Sequence, residues 1–315
     1  MREPFAISRS VQTDQPTILA TLVDRAGHVG RGEACGVPYA GETPETMMAQ
    51  IEEVRSQVEK GLTRDALLGI LPAGGARCAI DGALWDLEAK QTGRSVYATA
   101  GVPSPKAVLS AFTIGIRSLA DYEQTARAFS RFPVLKVKVD EVDPLSALAA
   151  VHRGAPMAQL IVDPNQSWSV TSLLDYASEL SKLGVILVEQ PIPVGHEADL
   201  DGVAYPISLA ADELINDARD LHRAAGRFDV INIKLDKTGG LTEALRLAER
   251  ATDAGFSLMV GCMAGSSLSM APAHVLAQKC KYVDLDGPLL QSEDWPNGLV
   301  YDNGFVAPPN RDFWG

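Results

Sequence analysis

The sequence predicts an α/β protein: a (β/α)8-type TIM barrel carrying an N-terminal α+β capping domain. Eight short apolar runs recur from residue 105 onward at a spacing of roughly 25 residues, the length of one strand-helix unit in such a barrel. Helical patterns such as Val170–Leu183 and Leu241–Ala254 lie between the runs. Six of the eight runs finish on an ionisable residue, at the strand ends where barrels build their sites.

The first hundred residues have another character. Thr17–Asp24 is a β-rich run, Ala26-Gly27 turns the chain, and a second short run reaches Glu33. Pro44–Gly61 carries apolar residues at helical spacing, with acids early and Arg55 and Lys60 late, as the helix dipole favours. Ala76–Lys90 places Ile80, Ala83, Leu84 and Leu87 on one buried helical face, and Gly93 ends it. The barrel runs follow at Ala107–Ile114, Val134–Val139, Leu160–Asp163, Val185–Glu189, Ile207–Asp212, Val230–Lys234, Ser257–Met263 and Tyr282–Asp286. Rich in Val, Ile and Leu on both faces, they fit parallel strands covered by helices. A doubly wound open sheet is the alternative, weakened because no GxGxxG or GxxxxGK follows a first strand. The expected division is a capping domain over 1–104, a barrel over 105–287, and a segment over 288–315 returning toward the cap.

Composition narrows the function. Among 315 residues, 40 acidic and 28 basic side chains give a net charge of −12, which opposes nucleic acid and anionic membranes as partners. No apolar run approaches the length of a membrane span, and Met1-Arg2-Glu3-Pro4-Phe5 opens no hydrophobic signal core. Cys35, Cys78, Cys262 and Cys280 lie far apart without metal-type spacing, so free thiols in a reducing cytoplasm are expected. A cytoplasmic enzyme acting on a small molecule is the class that remains, with room for a homo-oligomer.

The charged strand ends supply the chemistry. Asp163, Glu189 and Asp212 close three consecutive runs, so their carboxylates should converge on one side of the barrel mouth. Three such anions raise one another's pKa unless a cation neutralises them, and an all-oxygen set suits Mg²⁺, or Mn²⁺, better than zinc. The bland alternative is three separate salt bridges to surface Lys or Arg. No histidine falls at a strand end or in HExxH spacing, which also argues against zinc. Lys138 and Lys234 close the second and sixth runs, hence stand across the barrel from each other. Opposed amines can take a proton from one face of a substrate and return it to the other. A lysine base needs its pKa brought from about 10.4 to about 7–8. Lys136, two residues from Lys138 on the same strand face, should help by like-charge repulsion. A divalent cation would offset the charge that builds on a carboxylate as its α-proton leaves.

These motifs resemble the muconate-lactonising subgroup of the enolase superfamily, where lysine bases and Mg²⁺ are a familiar pairing. The match runs in order through Lys136-Val137-Lys138, Asp163-Pro164-Asn165, Glu189-Gln190-Pro191 and Asp212-Glu213. It is most specific in Ile231–Gly240, in Gly261-Cys262-Met263, and in Asp284-Leu285-Asp286-Gly287-Pro288. The helix bearing Leu84-Trp85-Asp86-Leu87 resembles the last helix of the family's capping domain. Within the subgroup the chain is most similar to the dipeptide epimerases.

That resemblance implies Asp163, Glu189 and Asp212 as Mg²⁺ ligands, and Lys138 and Lys234 as the acid/base pair. It implies Asp284 with Asp286 as a clamp for the substrate's ammonium, a role that suits an Asp-x-Asp projecting from one strand face. Arg9 resembles the residue that meets an acidic substrate side chain, and the loop Pro38–Glu42 is expected to close over the site. Lys237 and Gly239-Gly240 fit a turn into the next helix. Gly265-Ser266-Ser267 could bind a carboxylate or simply cap a helix. Leu214 stands where relatives commonly carry a small polar residue. Relatives also have a further strand before the Arg9 loop, so either the start codon is misassigned or the cap lacks its first strand. The implied reaction is a 1,1-proton transfer at the α-carbon of the C-terminal residue of a dipeptide, L-Ala-D/L-Glu, in cell-wall peptide recycling. Two alternatives stand beside it. A cycloisomerase or o-succinylbenzoate synthase-like lyase has no use for an ammonium clamp, and a silent binding protein has none for opposed lysines.

Overall fold

The structure, a computed structural model, describes residues 1–102 and 105–315; residue 104, the last of the expected capping domain, lies outside the described residues. The chain opens with a hairpin, β1 (Phe5–Ile7) and β2 (Ser10–Gln12), whose turn carries Arg9. β3 (Ile18–Val23) and β4 (Val29–Ala34) pair antiparallel, followed by α1 (Pro44–Glu59), α2 (Arg64–Ile70), α3 (Gly75–Thr92) and α4 (Val96–Thr99). Thr43 starts α1 with a capping box, and Gly93, at φ 69°, ends α3 as expected of a left-handed C-cap. Gly32 lets β4 lie directly on α3: a Cβ there would sit 2.1 Å from the Ala79 carbonyl oxygen.

The remaining elements alternate. They are β5 (Val108–Leu109), β6 (Phe112–Ile114), α5 (Leu119–Ala128), β7 (Val134–Lys138), α6 (Pro144–Gly154), β8 (Gln159–Asp163), α7 (Val170–Lys182) and β9 (Val185–Glu189). Then come β10 (Ser208–Ala211), α8 (Leu221–Ala224), β11 (Val230–Lys234), α9 (Leu235–Thr238), α10 (Leu241–Asp253) and β12 (Ser257–Gly261). Last are α11 (Ser267–Ala277), β13 (Tyr282–Val283), α12 (Gly287–Leu290), β14 (Tyr301–Asp302) and β15 (Phe305–Val306). Strands β6 to β13 form one sheet in sequential order, every pairing parallel. The Ala111 N–H donates to the Val283 carbonyl at 2.9 Å, joining the first strand to the last. This is the expected barrel under a capping domain. β9 is followed by a single 3-10 turn, Glu197–Leu200, rather than a full helix.

The run Ala107–Ile114 holds two strands rather than one. Val108–Leu109 pairs with β15, and only Phe112–Ile114 enters the barrel. Four other runs end sooner than expected, because β7 stops at Lys138, β10 at Ala211, β12 at Gly261 and β13 at Val283, so Asp212, Asp284 and Asp286 lie just beyond strands.

Inside the barrel, Ala111, Val134, Ile161, Leu187, Ala210, Val230 and Met259 form one apolar cluster. Side chains on a strand alternate faces, so two residues further on the same inward face come Thr113, Lys136, Asp163, Glu189, Asp212, Asn232 and Gly261. One more such step brings Lys138 and Lys234. The barrel therefore has an apolar floor and a polar ring above it.

The cap docks by buried polar contacts. Arg77 of α3 donates to the carbonyls of Thr238, Leu71 and Gly239 at 2.7, 3.1 and 3.2 Å, which satisfies the end of α9. Asp81 accepts from the Thr242 amide and hydroxyl, and the Asp236 carboxylate accepts from the Cys35 and Gly36 amides, each at 2.8 Å. At the far end of the chain, the Trp314 indole donates to the Arg31 carbonyl of β4 at 3.0 Å.

Candidate active site

The polar ring opens into a cavity of about 370 Å³ walled by the hairpin β1–β2, Tyr39 and the barrel mouth. Lys136, Lys138, Lys234, Asp212, Asp284, Asp286 and Arg9 all line it. Lys138 and Lys234 come from β7 and β11, four strands apart in a ring of eight, so they stand on opposite sides. Lys138 Nζ lies 2.5 Å from Asp163 Oδ2, and Lys234 Nζ lies 2.6 Å from Asp212 Oδ2.

Lys136 is the hub of the ring. Its buried ammonium donates to Glu189 Oε1 at 3.0 Å and to Asp284 Oδ2 at 2.8 Å, and lies 3.4 Å from Asp163. Burial alone would lower the Lys136 pKa, but Asp284 and Glu189 outweigh it and hold the amine well above its ordinary range. The expectation that Lys136 acts on Lys138 as a bare like charge is therefore corrected, since carboxylates compensate it. Lys234 is also raised rather than lowered, because Asp212 beside it overcomes the cost of burial. Asp163 and Asp212 sit below the usual carboxylate range, their burial outweighed by the adjacent lysines.

Glu189 is the exception. Burial and the neighbouring Asp163 charge push its carboxyl up to about 8. Its Oε2 lies 2.8 Å from Lys136 Nζ but in a direction that makes no hydrogen bond. Among the described residues the three carboxylates are not already gathered as a metal cluster. Lys136 bridges two of them and Lys234 and Lys237 hold the third, so the expected convergence is occupied by ammonium groups. The donor set nevertheless fits a hard cation: all-oxygen, buried, at the ends of three consecutive strands, with one carboxylate oxygen lacking any hydrogen bond.

Asp284 and Asp286 do not lie on a strand as expected, yet both reach the cavity. The Thr113 amide donates to Asp286 Oδ2 at 2.5 Å and its hydroxyl to Asp284 Oδ1 at 3.2 Å. Burial and the Asp284 charge push Asp286 up to about 7. Arg9, at the hairpin turn, donates to Glu213 Oε1 at 2.6 Å. Tyr39, in the loop expected to close over the site, lines the cavity, and Glu42 pins that loop by accepting from the Val37 and Gly75 amides. Gly265-Ser266-Ser267 is already engaged: Ser266 donates to Glu33 and Ser267 to Asp294, leaving helix capping as its role. Gly239 and Gly240, at φ 68° and 115°, make the turn between α9 and α10, where a Cβ on Gly240 would meet the Asp81 carboxylate at 2.4 Å.

Four polar residues around the barrel mouth, two of them in the ring, carry no clear signal in the sequence. Thr113 is, with Ser110, one of two hydroxyl residues in an otherwise apolar run, and Asn232, which donates to Glu189 Oε1 at 2.9 Å, lies two residues before Lys234 on the same face. Lys237 is fully buried and donates to Asp212 Oδ1 at 2.7 Å, a long-range partner no local signal reveals. Glu213 follows Asp212 and reads locally only as the second residue of the Asp212-Glu213 motif. Leu214 is fully buried, which accounts for its apolar character. Its amide and that of Asp212 both donate to Gln190 Oε1, tying β9 to the end of β10.

Comparison with known proteins agrees with this geometry. The model for "Enolase C-terminal domain-like" matches residues 120–312, and that for "Mandelate racemase / muconate lactonizing enzyme, N-terminal domain" matches residues 1–101. The N-acetyl-D-glutamate racemase of a Pseudoalteromonas species is 42% identical over 90% of this chain and 91% of its own. The L-Ala-D/L-Glu epimerase of Escherichia coli K12 is 38% identical over 96% and 95%. Among solved structures, an enolase family member from Agrobacterium tumefaciens "with homology to dipeptide epimerases", with bound sodium and L-Ala-L-Glu, superposes with a TM-score of 0.96. It is 39% identical and covers 99% of this chain and 95% of that one. The dipeptide epimerase of Methylococcus capsulatus, complexed with Mg and L-Arg-D-Lys, gives a TM-score of 0.89 at 30% identity, with 98% and 94% covered.

Proposed function

The chain belongs to the mandelate racemase/muconate lactonizing enzyme family of the enolase superfamily, and from that premise we propose that it is a Mg²⁺-dependent dipeptide epimerase acting on L-Ala-D/L-Glu. One observation carries this: two lysines on opposed strands face one cavity, with carboxylates on the strands between them. The domain roles follow, residues 1–104 as cap, 105–287 as barrel and 288–315 as the returning segment.

Asp163, Glu189 and Asp212 would hold the cation, which when bound supplies positive charge against the negative charge building on the substrate carboxylate. With Asp212 so committed, Lys234 loses the attraction that raises its pKa, which moves it toward the range of a base at neutral pH. One lysine, as the free amine, takes the α-proton of the C-terminal residue from one face. The other, as the ammonium, donates its proton to the opposite face, and the centre is inverted. Lys136 stays protonated and holds Glu189 and Asp284 in place. Asp284 and Asp286 receive the dipeptide's ammonium, and the hairpin with Tyr39 excludes water. Among the described residues no helix is long and apolar enough to cross a membrane. A cytoplasmic setting in the recycling of cell-wall peptides suits this substrate.

The test is proton exchange in D₂O with Mg²⁺. L-Ala-L-Glu should acquire deuterium at the Glu α-carbon and yield its D-epimer, and no incorporation would overturn the assignment. N-Acyl-glutamates form a second substrate class. It is favoured because Asp284 is engaged on both oxygens by Lys136 and Thr113, and because the Pseudoalteromonas relative is named for N-acetyl-D-glutamate. Faster turnover of N-acetyl-L-glutamate than of L-Ala-L-Glu, unaffected by Asp284→Asn, would select it.

A further inference from the structure

We propose that Glu213 is a positioning residue that aims Arg9 into the cavity and thereby sets the preference for an acidic C-terminal side chain. The inference rests on the dipeptide reading above and deepens it.

Arg9 and Glu213 are unequal partners. The Glu213 side chain is 4% exposed and that of Arg9 41% exposed, with Nη2 and Oε1 at 2.6 Å. Glu213 Oε2 is buried without a hydrogen-bond partner, and Oε1 has besides Arg9 only the long 3.4 Å contact from Asn165 Nδ2. Among the described residues no other cation pairs with Glu213. Removing Arg9 would leave a buried, uncompensated carboxylate, which is strongly unfavourable. The pair should therefore persist when substrate enters, rather than break to release the arginine.

What remains free then matters. Among the described residues, Arg9 Nε and Nη1 donate to no protein acceptor, although guanidinium carries five donors in a rigid fork. Its orientation is fixed from three directions. Glu213 holds one nitrogen, and the Tyr39 ring flanks the group at 5.8 Å. The hairpin itself is stitched to the barrel by the Ile116 amide donating to the Ala6 carbonyl at 2.8 Å and by Ser8 Oγ donating to the Asn165 carbonyl at 3.4 Å. A carboxylate entering the cavity meets a guanidinium that is already desolvated on one edge and aimed, which lowers the cost of ordering it. The opposite possibility is that Glu213 competes with the substrate carboxylate for Arg9. It predicts the reverse response to the same substitution.

The test measures kcat and KM with Mg²⁺ for L-Ala-L-Glu and its neutral isostere L-Ala-L-Gln. It uses the unaltered protein, Glu213→Gln, Arg9→Met, and the double variant, which removes both charges together and spares the fold an unpaired buried one. Glu213→Gln should lose about tenfold of the preference for L-Ala-L-Glu, through KM, while kcat for L-Ala-L-Gln stays within about threefold. In the Arg9→Met background it should change that preference no further. An unchanged preference in Glu213→Gln, or a lower KM for L-Ala-L-Glu, would overturn the proposal. So would a collapse of kcat for both dipeptides, which would place Glu213 at the reacting centre. Retention of the full preference in Arg9→Met would overturn it as well. If the unaltered protein turns over neither dipeptide, the epimerase reading falls and this inference with it.

Discussion

Gly261 shows how closely the ring is packed. It pairs in register with Lys234 on the neighbouring strand, and a Cβ there would lie 2.8 Å from Asn232 Oδ1 and 3.0 Å from Lys234 Cε. Gly261→Ala must therefore push the lysine or the asparagine aside. Because a displacement near 1 Å can cost about a hundredfold in rate, the variant should lose about 10- to 100-fold in kcat. Its thermal midpoint should shift little, since Lys234 can give way toward the cavity; steady-state kinetics beside a melting curve check both. At this scale the sequence was informative wherever a charge closed an apolar run, because a barrel strand leaves such a side chain one place to go. It was uninformative about what each charge touches. Lys136 reads locally as a like charge beside Lys138, but its partners Glu189 and Asp284 lie 53 and 148 residues away.

Elements were legible through period and punctuation. α3 runs from Gly75 to Thr92 against an expectation of Ala76–Lys90, because one apolar face and a terminal glycine define it. Ala107–Ile114 reads as one strand because its two isolated hydroxyl residues, Ser110 and Thr113, do not say where a run changes partners. Its first half pairs with β15, whose sequence lies almost two hundred residues on. The contact between α3 and α10 yields a pH prediction. Asp81 is fully buried, and burial pushes its pKa up from 3.8 to about 6 despite the Thr242 hydrogen bonds. The folded state thus binds the proton more tightly than the unfolded chain. The resulting stabilisation is complete below about pH 3.8 and is lost as pH rises through about 6, a difference on the order of 3 kcal/mol. Asp81→Asn cannot ionise, so its stability relative to the unaltered protein should improve between pH 4 and pH 7.5. Urea unfolding at the two pH values checks this; a difference independent of pH would mean that Asp81 titrates normally.

The whole molecule carries a net charge of −12, yet its proposed substrate is anionic. Long-range repulsion must be reversed locally, and Arg9 and a bound cation are placed to do so. Calorimetry should accordingly find that chelating Mg²⁺ weakens L-Ala-L-Glu binding at least about tenfold, a loss of about 1.4 kcal/mol. Unchanged affinity would remove the cation from the binding role. The central claim concerns the two faces of the barrel mouth and is tested most directly by Lys138→Ala and Lys234→Ala, each followed by NMR in D₂O with L-Ala-L-Glu and L-Ala-D-Glu separately. Neither variant should interconvert the epimers, and each should exchange the α-proton of one epimer only, the two variants choosing opposite ones. Epimerisation surviving in either variant, or both variants exchanging the same epimer, would contradict a two-lysine proton transfer.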